Sequence, residues 1–401
     1  MSEDFLHGVT TIELSDGIKP VRINKSSVVH VIGTAPGASN TAWPLDEPVL
    51  LNAQPRKAAT LGATGTLPRA VRQIMDEGGA AIVVTRVEAM PTVEQQITRI
   101  IGNQSSKTGI YTALYASQHL GVPPRTLIVP GFTSQRISNA RNPVVAALLP
   151  VAQRLRGRIY ADCPAGYTAA LQWRQDWGSD RIVPFYPGVL AWDEATSGYV
   201  AAPMSASAAG LTARVHRDEG FWHSPSNKEY YGVGGLTQPV DFTQGDYDSE
   251  ANLLNENRVS TAVNMGGNYA GWRRWGNGTC AADPAWQFEA VRTSLDMVYE
   301  AIEMAQLWAV DKPPGRQILL DMAGMVQGFM DYGKRVGFLL GGKVWLDPER
   351  NPPSQTSQGI WSWDIDPEAP APMQTIRNYA HRNTDYYAEF VENLAPVIRM
   401  A

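Results

Sequence analysis

Trp272-Arg273-Arg274-Trp275-Gly276-Asn277-Gly278-Thr279-Cys280 opens a block that runs through Asp283-Pro284 and closes at Leu307-Trp308-Ala309-Val310-Asp311-Lys312-Pro313. The block carries the strongest helix signal in the chain. Asp283 suits an N-cap and Pro284 the first helical position, where a missing N–H costs nothing. Phe288, Val291, Leu295, Val298, Ile302 and Ala305 then recur in three- and four-residue steps, which is one apolar stripe on a helix. Glu289, Arg292, Asp296, Glu300 and Glu303 fall off the stripe and are expected to face solvent. Pro313 and Pro314 stop the helix.

Upstream of the block the pattern is α/β. Val28–Gly33, Ala80–Val87, Thr126–Gly131, Gly157–Asp162 and Arg181–Phe185 read as strands, and Leu67–Glu77 and Val144–Leu155 as helices. Short apolar runs alternating with helices predict a mostly parallel sheet with helices on its faces. Residues 217–248 are loop-rich. Downstream, a second helix is expected over Arg316–Lys334, and strands over Gly337–Asp347 and Gly359–Asp366. In the last of these, Trp361, Trp363 and Ile365 alternate with Ser362, Asp364 and Asp366. Tyr387, Phe390, Val391 and Leu394 make one face of a short closing helix.

A chain of 401 residues exceeds one typical domain. With 44% apolar and 18% charged residues it can bury a sizeable core. Low charge with 12 tryptophans suits an exterior that meets protein partners. A net charge of −5 argues against nucleic-acid binding as the main role. Cys163 and Cys280 match no metal spacing and read as free thiols. No secretory signal and no membrane-spanning apolar run are evident, so neither membrane insertion nor export by a leader is expected.

Chemistry has few candidates. Gly33-Thr34-Ala35-Pro36-Gly37 follows a strand, but the dinucleotide-binding glycine spacing is absent and Pro36 removes a donor. His216 and His223 flank Asp218-Glu219, which imitates an acid–base cluster in a turn-rich loop. Arg273-Arg274 reads as ordering a junction through cation–π contact or carboxylate pairing.

An ordered set of motifs resembles the contractile tail sheath proteins of short-sheath myophages and R-type bacteriocins. It comprises Phe185–Asp193, Gly220–Asn227, Leu253-Leu254-Asn255, Trp275–Thr279, Asp283–Glu289 and Trp308–Pro313. The resemblance implies an α/β fold, α+β in the inner domain, with two domains and two extended arms. The expected boundaries are an N-terminal arm at 1–20, an outer α/β domain at 21–260, an inner tube-facing domain at 261–366, and a C-terminal arm with a closing helix at 367–401.

It further implies hexameric rings of the chain itself, stacked around an inner tail tube protein between baseplate and tail terminator proteins. No enzyme activity and no cofactor are expected. Assembly in a host bacterial cytoplasm is expected, into a virion tail or a released bacteriocin. Intersubunit arms would use Phe5, Val9, Ile12, Ile376 and Tyr379. Trp272, Trp275, Gly276 and Thr279 would form the inner-domain junction, and Lys334 and Arg335 would contact the tube. A competing reading is an α/β hydrolase-like enzyme using the Asp218–His223 loop.

Overall fold

A computed structural model of the chain describes residues 26–52, 54–194 and 196–399. Phe5, Val9 and Ile12 lie outside the described residues. The central sheet consists of β1 (Val28–Thr34), β2 (Pro48–Asn52), β3 (Ala81–Val87), β4 (Thr126–Ile128), β5 (Arg158–Asp162) and β6 (Ile182–Phe185), in the order β2-β3-β1-β4-β5-β6. All neighbours are parallel except β2, which closes one edge antiparallel to β3.

Seven helices accompany this first part: α1 (Pro55–Ala59), α2 (Leu67–Asp76), α3 (Val93–Ile101), α4 (Ala113–Leu120), α5 (Pro143–Leu155), α6 (Tyr167–Gln175) and α7 (Met204–Asp218). Thr92 and Asn142 cap α3 and α5 by accepting from Gln95 N and Val145 N. Helices α2 and α7 share one core with Val29, Val31, Val84 and Tyr160 of the sheet. Helices α3 and α5 share another with Ile32, Val87, Leu127 and Ile159, whose side chains point to the opposite face. Each of these strands is therefore apolar on both faces.

A three-stranded antiparallel sheet follows, built from β7 (Val189–Asp193), β8 (Gly198–Ala202) and β9 (Val233–Leu236) in the order β8-β7-β9. Helix α8 (Glu250–Glu256) then leads into a hairpin of β10 (Thr261–Gly266) and β11 (Tyr269–Trp275).

The long helix begins later than the Asp-Pro signal predicts. Asp283 does cap, accepting from Ala285 N at 2.9 Å, but what it caps is a 3-10 turn over Pro284–Trp286. The α-helix itself, α9, spans Glu289–Gln306, and α10 spans Arg316–Val336. Val291, Leu295, Val298 and Ile302 of α9 pack with Met325, Val326, Phe329 and Met330 of α10. The predicted stripe is therefore core.

The two strands expected beyond α10 shrink to a pair of two-residue segments, β12 (Val344–Trp345) and β13 (Asp364–Ile365). Helix α11 (Pro353–Thr356) lies between them. Trp361 and Trp363 alternate as read, but residues 359–363 pair with no strand among the described residues.

The compact body runs through Ala371, and residues from Pro372 onward form a separate unit. In that unit residues 372–383 have no regular structure, and α12 covers Tyr386–Arg399.

The Gly33–Gly37 segment, which ends β1 and begins the following turn, is occupied by its own chain. Thr34 N donates to Thr66 Oγ1 at 3.1 Å and Thr66 N to Thr34 Oγ1 at 3.3 Å. A Cβ added to Gly65, whose φ is +97°, would lie 2.3 Å from Thr34 O. We expect Gly65→Ala to destabilise the unassembled protein by about 2–3 kcal/mol, from strain and clash together. Gly121→Ala is left-handed as well but meets no atom within 4 Å, and should cost about 1 kcal/mol. Urea denaturation of both variants measures the difference, and equal costs would contradict the close approach at Gly65.

Candidate functional site

Arg125, Arg158 and Arg181 stand at the heads of β4, β5 and β6. Parallel pairing lines them up: Arg158 N donates to Arg125 O at 2.8 Å, and Ile159 N to Arg181 O at 2.7 Å. Their side chains project from the amino-terminal edge of the sheet onto α9. Arg125 pairs with Glu300, and Arg181 holds Asp296 with both guanidinium nitrogens, one of them at 2.9 Å. Arg158 lies 3.3 Å from Glu289 and donates to Thr293. At the far end of α9, Arg156 Nη1 reaches Glu303 at 2.9 Å.

This corrects the expectation for α9. Glu289, Arg292 and Asp296 do not face solvent; all three are buried. The apolar stripe meets α10, while the opposite side of the helix meets a row of arginines. Arg292 joins the row by donating to Asp296 at 2.8 Å and lying 4.0 Å from the centre of the Trp286 ring.

Glu289 is the most enclosed member. Burial alone would push its carboxyl upward, but Arg274, Arg158 and a hydrogen bond from Tyr160 outweigh burial and hold it below the usual carboxylate range. The same environment pushes the Tyr160 hydroxyl up to about 12, by burial first and then by the Glu289 charge. Arg274 Nη2 donates to Glu289 at 2.6 Å and Nη1 to Thr212 Oγ1 at 3.1 Å. Its guanidinium also lies 5.0 Å from the centre of the Phe185 ring and 5.3 Å from that of Tyr160. Arg274 thus makes both contacts that the sequence suggested for the Arg-Arg pair. Arg273 donates to Asn227 O at 2.9 Å.

The separated motifs meet at the Trp275-Gly276 turn. Gly276 has φ +131°, and a Cβ there would lie 2.7 Å from Asn255 Oδ1 and 2.8 Å from Ser260 Cα. Only glycine fits this crossing. Ser226 Oγ accepts from Gly276 N at 3.1 Å, Asn227 N donates to Arg274 O at 2.7 Å, and Asn255 Nδ2 donates to Trp275 O at 3.3 Å. Trp275 sits edge-on to Phe242. Trp272 packs on the core shared by α2 and α7. Thr279 is buried and donates to Trp286 O at 2.9 Å. Past the turn, Cys280 N donates to Ile182 O at 2.8 Å, so the chain runs along the free edge of β6.

The other singled-out residues lie elsewhere. Lys334 and Arg335 are exposed in the last turn of α10. Ile376 and Tyr379 are exposed in the irregular segment after Ala371. Cys163 and Cys280 are free, and burial raises both thiols, Cys280 to about 12.

In the Asp218–His223 segment His223 Nδ1 lies 3.7 Å from Glu219, and both acids also meet cations. Arg217 takes Asp218, Lys228 takes Glu219 at 2.6 Å, and the His223 ring lies against Trp222. No cluster of three metal-ligating side chains occurs among the described residues. No described helix is long and apolar enough to cross a membrane.

The row of arginines is the feature that sequence reading missed. The signal was present, since Arg125-Thr126, Arg158-Ile159 and Arg181-Ile182 each place an arginine directly before an apolar strand. We expect Glu289→Gln to cost about 3–5 kcal/mol, because it leaves two buried guanidiniums facing an amide. Glu303→Gln breaks a largely exposed pair and should cost less than about 1 kcal/mol. Urea midpoints of the unassembled variants give the comparison, and similar losses would contradict this account of the contact.

Comparison with known proteins agrees with this architecture. The family described as phage tail sheath protein central domain matches residues 102–274. A prophage major tail sheath protein of Pseudomonas aeruginosa (strain UCBPP-PA14) is 34% identical over 366 residues, which is 90% of this chain and 92% of that protein. The tail sheath protein of Escherichia phage P2 is 29% identical over 397 residues, 96% of this chain and 97% of that one. Among solved structures, the contracted helical sheath of the anti-feeding prophage shares the fold, with a TM-score of 0.69 at 17% identity, covering 94% of this chain and 99% of that one. The sheath complex of the extracellular contractile injection system PVC, also contracted, gives a TM-score of 0.67 at 17% identity, covering 96% of this chain and all of that one. The match to the Pseudomonas protein extends through the arginine row, the Trp-Gly turn and α9, and on it this chain belongs to the family of phage tail sheath proteins.

Proposed function

We infer that this chain is a structural subunit of a contractile tail sheath, polymerising around an inner tube and contracting to drive that tube through a cell envelope. The observation that carries this reading is likeness over nearly the whole length to tail sheath proteins. The geometry supports it. The body is fastened internally by buried ion pairs, and residues 372–399 carry exposed apolar side chains such as Ile376 and Tyr379. Such a molecule can exchange one set of surface contacts for another while its core stays fixed, as a two-state interface rotation requires. Contraction then needs no nucleotide, because a small gain per subunit is multiplied over the lattice.

Within this reading the subunits form stacked rings of six, and baseplate and tail terminator proteins bound the polymer. Assembly takes place in a bacterial cytoplasm. Two arms hold the lattice: residues 1–20, with Phe5, Val9 and Ile12, and residues 367–383, with Ile376 and Tyr379. An extended arm that adds a strand to a neighbour's open sheet edge binds through main-chain hydrogen bonds, which survive rotation if the arm flexes. Trp272, Trp275, Gly276 and Thr279 join an outer body to an inner domain at 261–366. The exposed Lys334 and Arg335 of α10 meet acidic groups on the tube.

Deleting residues 1–16 should leave a folded, soluble monomer that builds no sheath in negative-stain electron microscopy; normal polymers from the truncated chain would end the arm assignment. Reversing the charge at Lys334 and Arg335 together should spare polymerisation and weaken tube binding at least tenfold in co-sedimentation. Unchanged binding would remove these residues from the tube interface.

A further inference from the structure

Two rings stand together on the outer side of the three-stranded sheet. Alternation along β7 sends Val189 and Ala191 into the core and leaves Trp192 on the other face. Tyr199 of β8 is its register partner, and the two rings meet edge to face with 5.4 Å between centres. Trp192 is 44% exposed and Tyr199 57%. The Tyr199 ring lies over Gly234 of β9, where an added Cβ would collide with it. The surrounding chain thus holds both rings in place before a partner arrives, which is the condition of a good interface anchor.

A groove lies across the central sheet from these rings. Val189, Ala191 and Val233 join the core of α2 and α7, whereas α3 packs on the core of the opposite face. Along α3, Met90, Pro91, Gln95, Thr98, Gly102 and Asn103 line an open groove of about 710 Å³. Val93 of the same helix is 51% exposed. The two places also differ in their bordering charges. Arg69 and Arg72 of α2 flank the ring pair, Arg69 donating to Ala201 O at 3.0 Å and Arg72 pairing with Glu194. Glu94 belongs to the groove wall, and Glu88 lies 3.7 Å from Arg99 there.

We propose that the Trp192–Tyr199 pair of one subunit inserts into the α3 groove of a second copy, with Arg69 and Arg72 toward Glu94 and Glu88. This deepens the sheath reading and rests on it. The two surfaces are different and lie on opposite faces of one body, so the contact is heterologous. Such contacts run on into rings or open helical polymers instead of closing as two-fold dimers. Two aromatic side chains bury about 300–500 Å². A stable complex buries roughly 800 Å² per partner. The contact is therefore too small to pair free chains and forms between copies already held in the polymer. A small contact repeated at every subunit is one that a lattice can make and break as its bodies rotate.

Two single variants test the contact and leave both rings in place: Ser197→Cys in one full-length chain and Gln95→Cys in another, copolymerised and treated with a short bismaleimide. Because each chain carries one engineered thiol, a new covalent dimer beyond the wild-type background reports contact between copies. A strong dimer band from the mixed polymer, absent from either variant polymerised alone, is the expected result. Polymers that form without that band overturn the proposal. So does a dimer of Ser197→Cys with itself, a dimer that appears instead when Ser197→Cys is mixed with Leu307→Cys, or a link from Ser197→Cys to a co-assembled tube protein.

If the cysteine variants do not assemble, charge reversal decides. Glu88→Lys with Glu94→Lys should raise the protein concentration needed for assembly at least fivefold, and Arg69→Glu with Arg72→Glu in the same chain should restore it. No rise, or a rise without restoration, overturns the contact. Wild-type chain that forms no polymer at all would instead remove the sheath reading on which the proposal stands.

Discussion

The row of arginines at the heads of β4, β5 and β6, closed on the carboxylates of α9, is the contact on which the rest of the molecule depends. Taking an ion out of water costs several kcal/mol even after the protein relaxes. Attraction offsets that cost only where geometry is good and the remaining polar atoms are occupied. The carboxylates meet these conditions: Glu289 takes Arg274, Arg158 and the Tyr160 hydroxyl, and Asp296 takes Arg181 and Arg292, while the buried Nε atoms of Arg274 and Arg292 have no partner among the described residues. The physical consequence is specificity more than adhesion. A helix held only by its apolar stripe could slide by a turn against the sheet, whereas one held at Glu289, Asp296 and Glu300 has a single register.

Other contacts build outward from that register. Because α9 is fixed, α10 packs on its apolar side, and Phe338 beyond α10 meets Phe221 and Trp222 in the loop after α7. The body is thus fastened by ion pairs on one side and by aromatic rings on the other. For a lattice that changes its angle and rise, a body of this kind is the part that stays constant. Change is then left to surface contacts, and among the described residues Met304, Leu307, Val310 and Leu320 are apolar side chains exposed on the body.

Much of the α/β part was legible because each strand is short, apolar on both faces and bounded by turns. The stripe on α9 was legible for the reason that any amphipathic helix is. The opposite side of α9 was not. Its acids look solvated in sequence, since their partners lie 175 residues away for Glu300 and 115 for Asp296. Helix α7 was not recognised at all. Every residue from Met204 to His216 is buried, so the helix has no solvent-facing side to set an amphipathic period. Alternation at 359–366 overstated a strand, because periodicity reports which side chains share a face and not whether a neighbouring strand is present. The turn at Gly276 is legible in the sequence as a motif, but its cause lies in the fold. The cause is a crossing of Asn255 and Ser260 too close for any Cβ.

The central claim is that a fixed body, closed by the arginine row, builds a contractile sheath through its surfaces and arms. Electron cryomicroscopy of the polymer grown from the purified full-length chain tests it most directly. The account predicts a hollow helical polymer whose subunits keep residues 26–371 as one body, with Arg125, Arg158 and Arg181 still closed on Glu300, Glu289 and Asp296. A compact monomer that never polymerises, or a polymer in which α9 has separated from the heads of β4, β5 and β6, would contradict it.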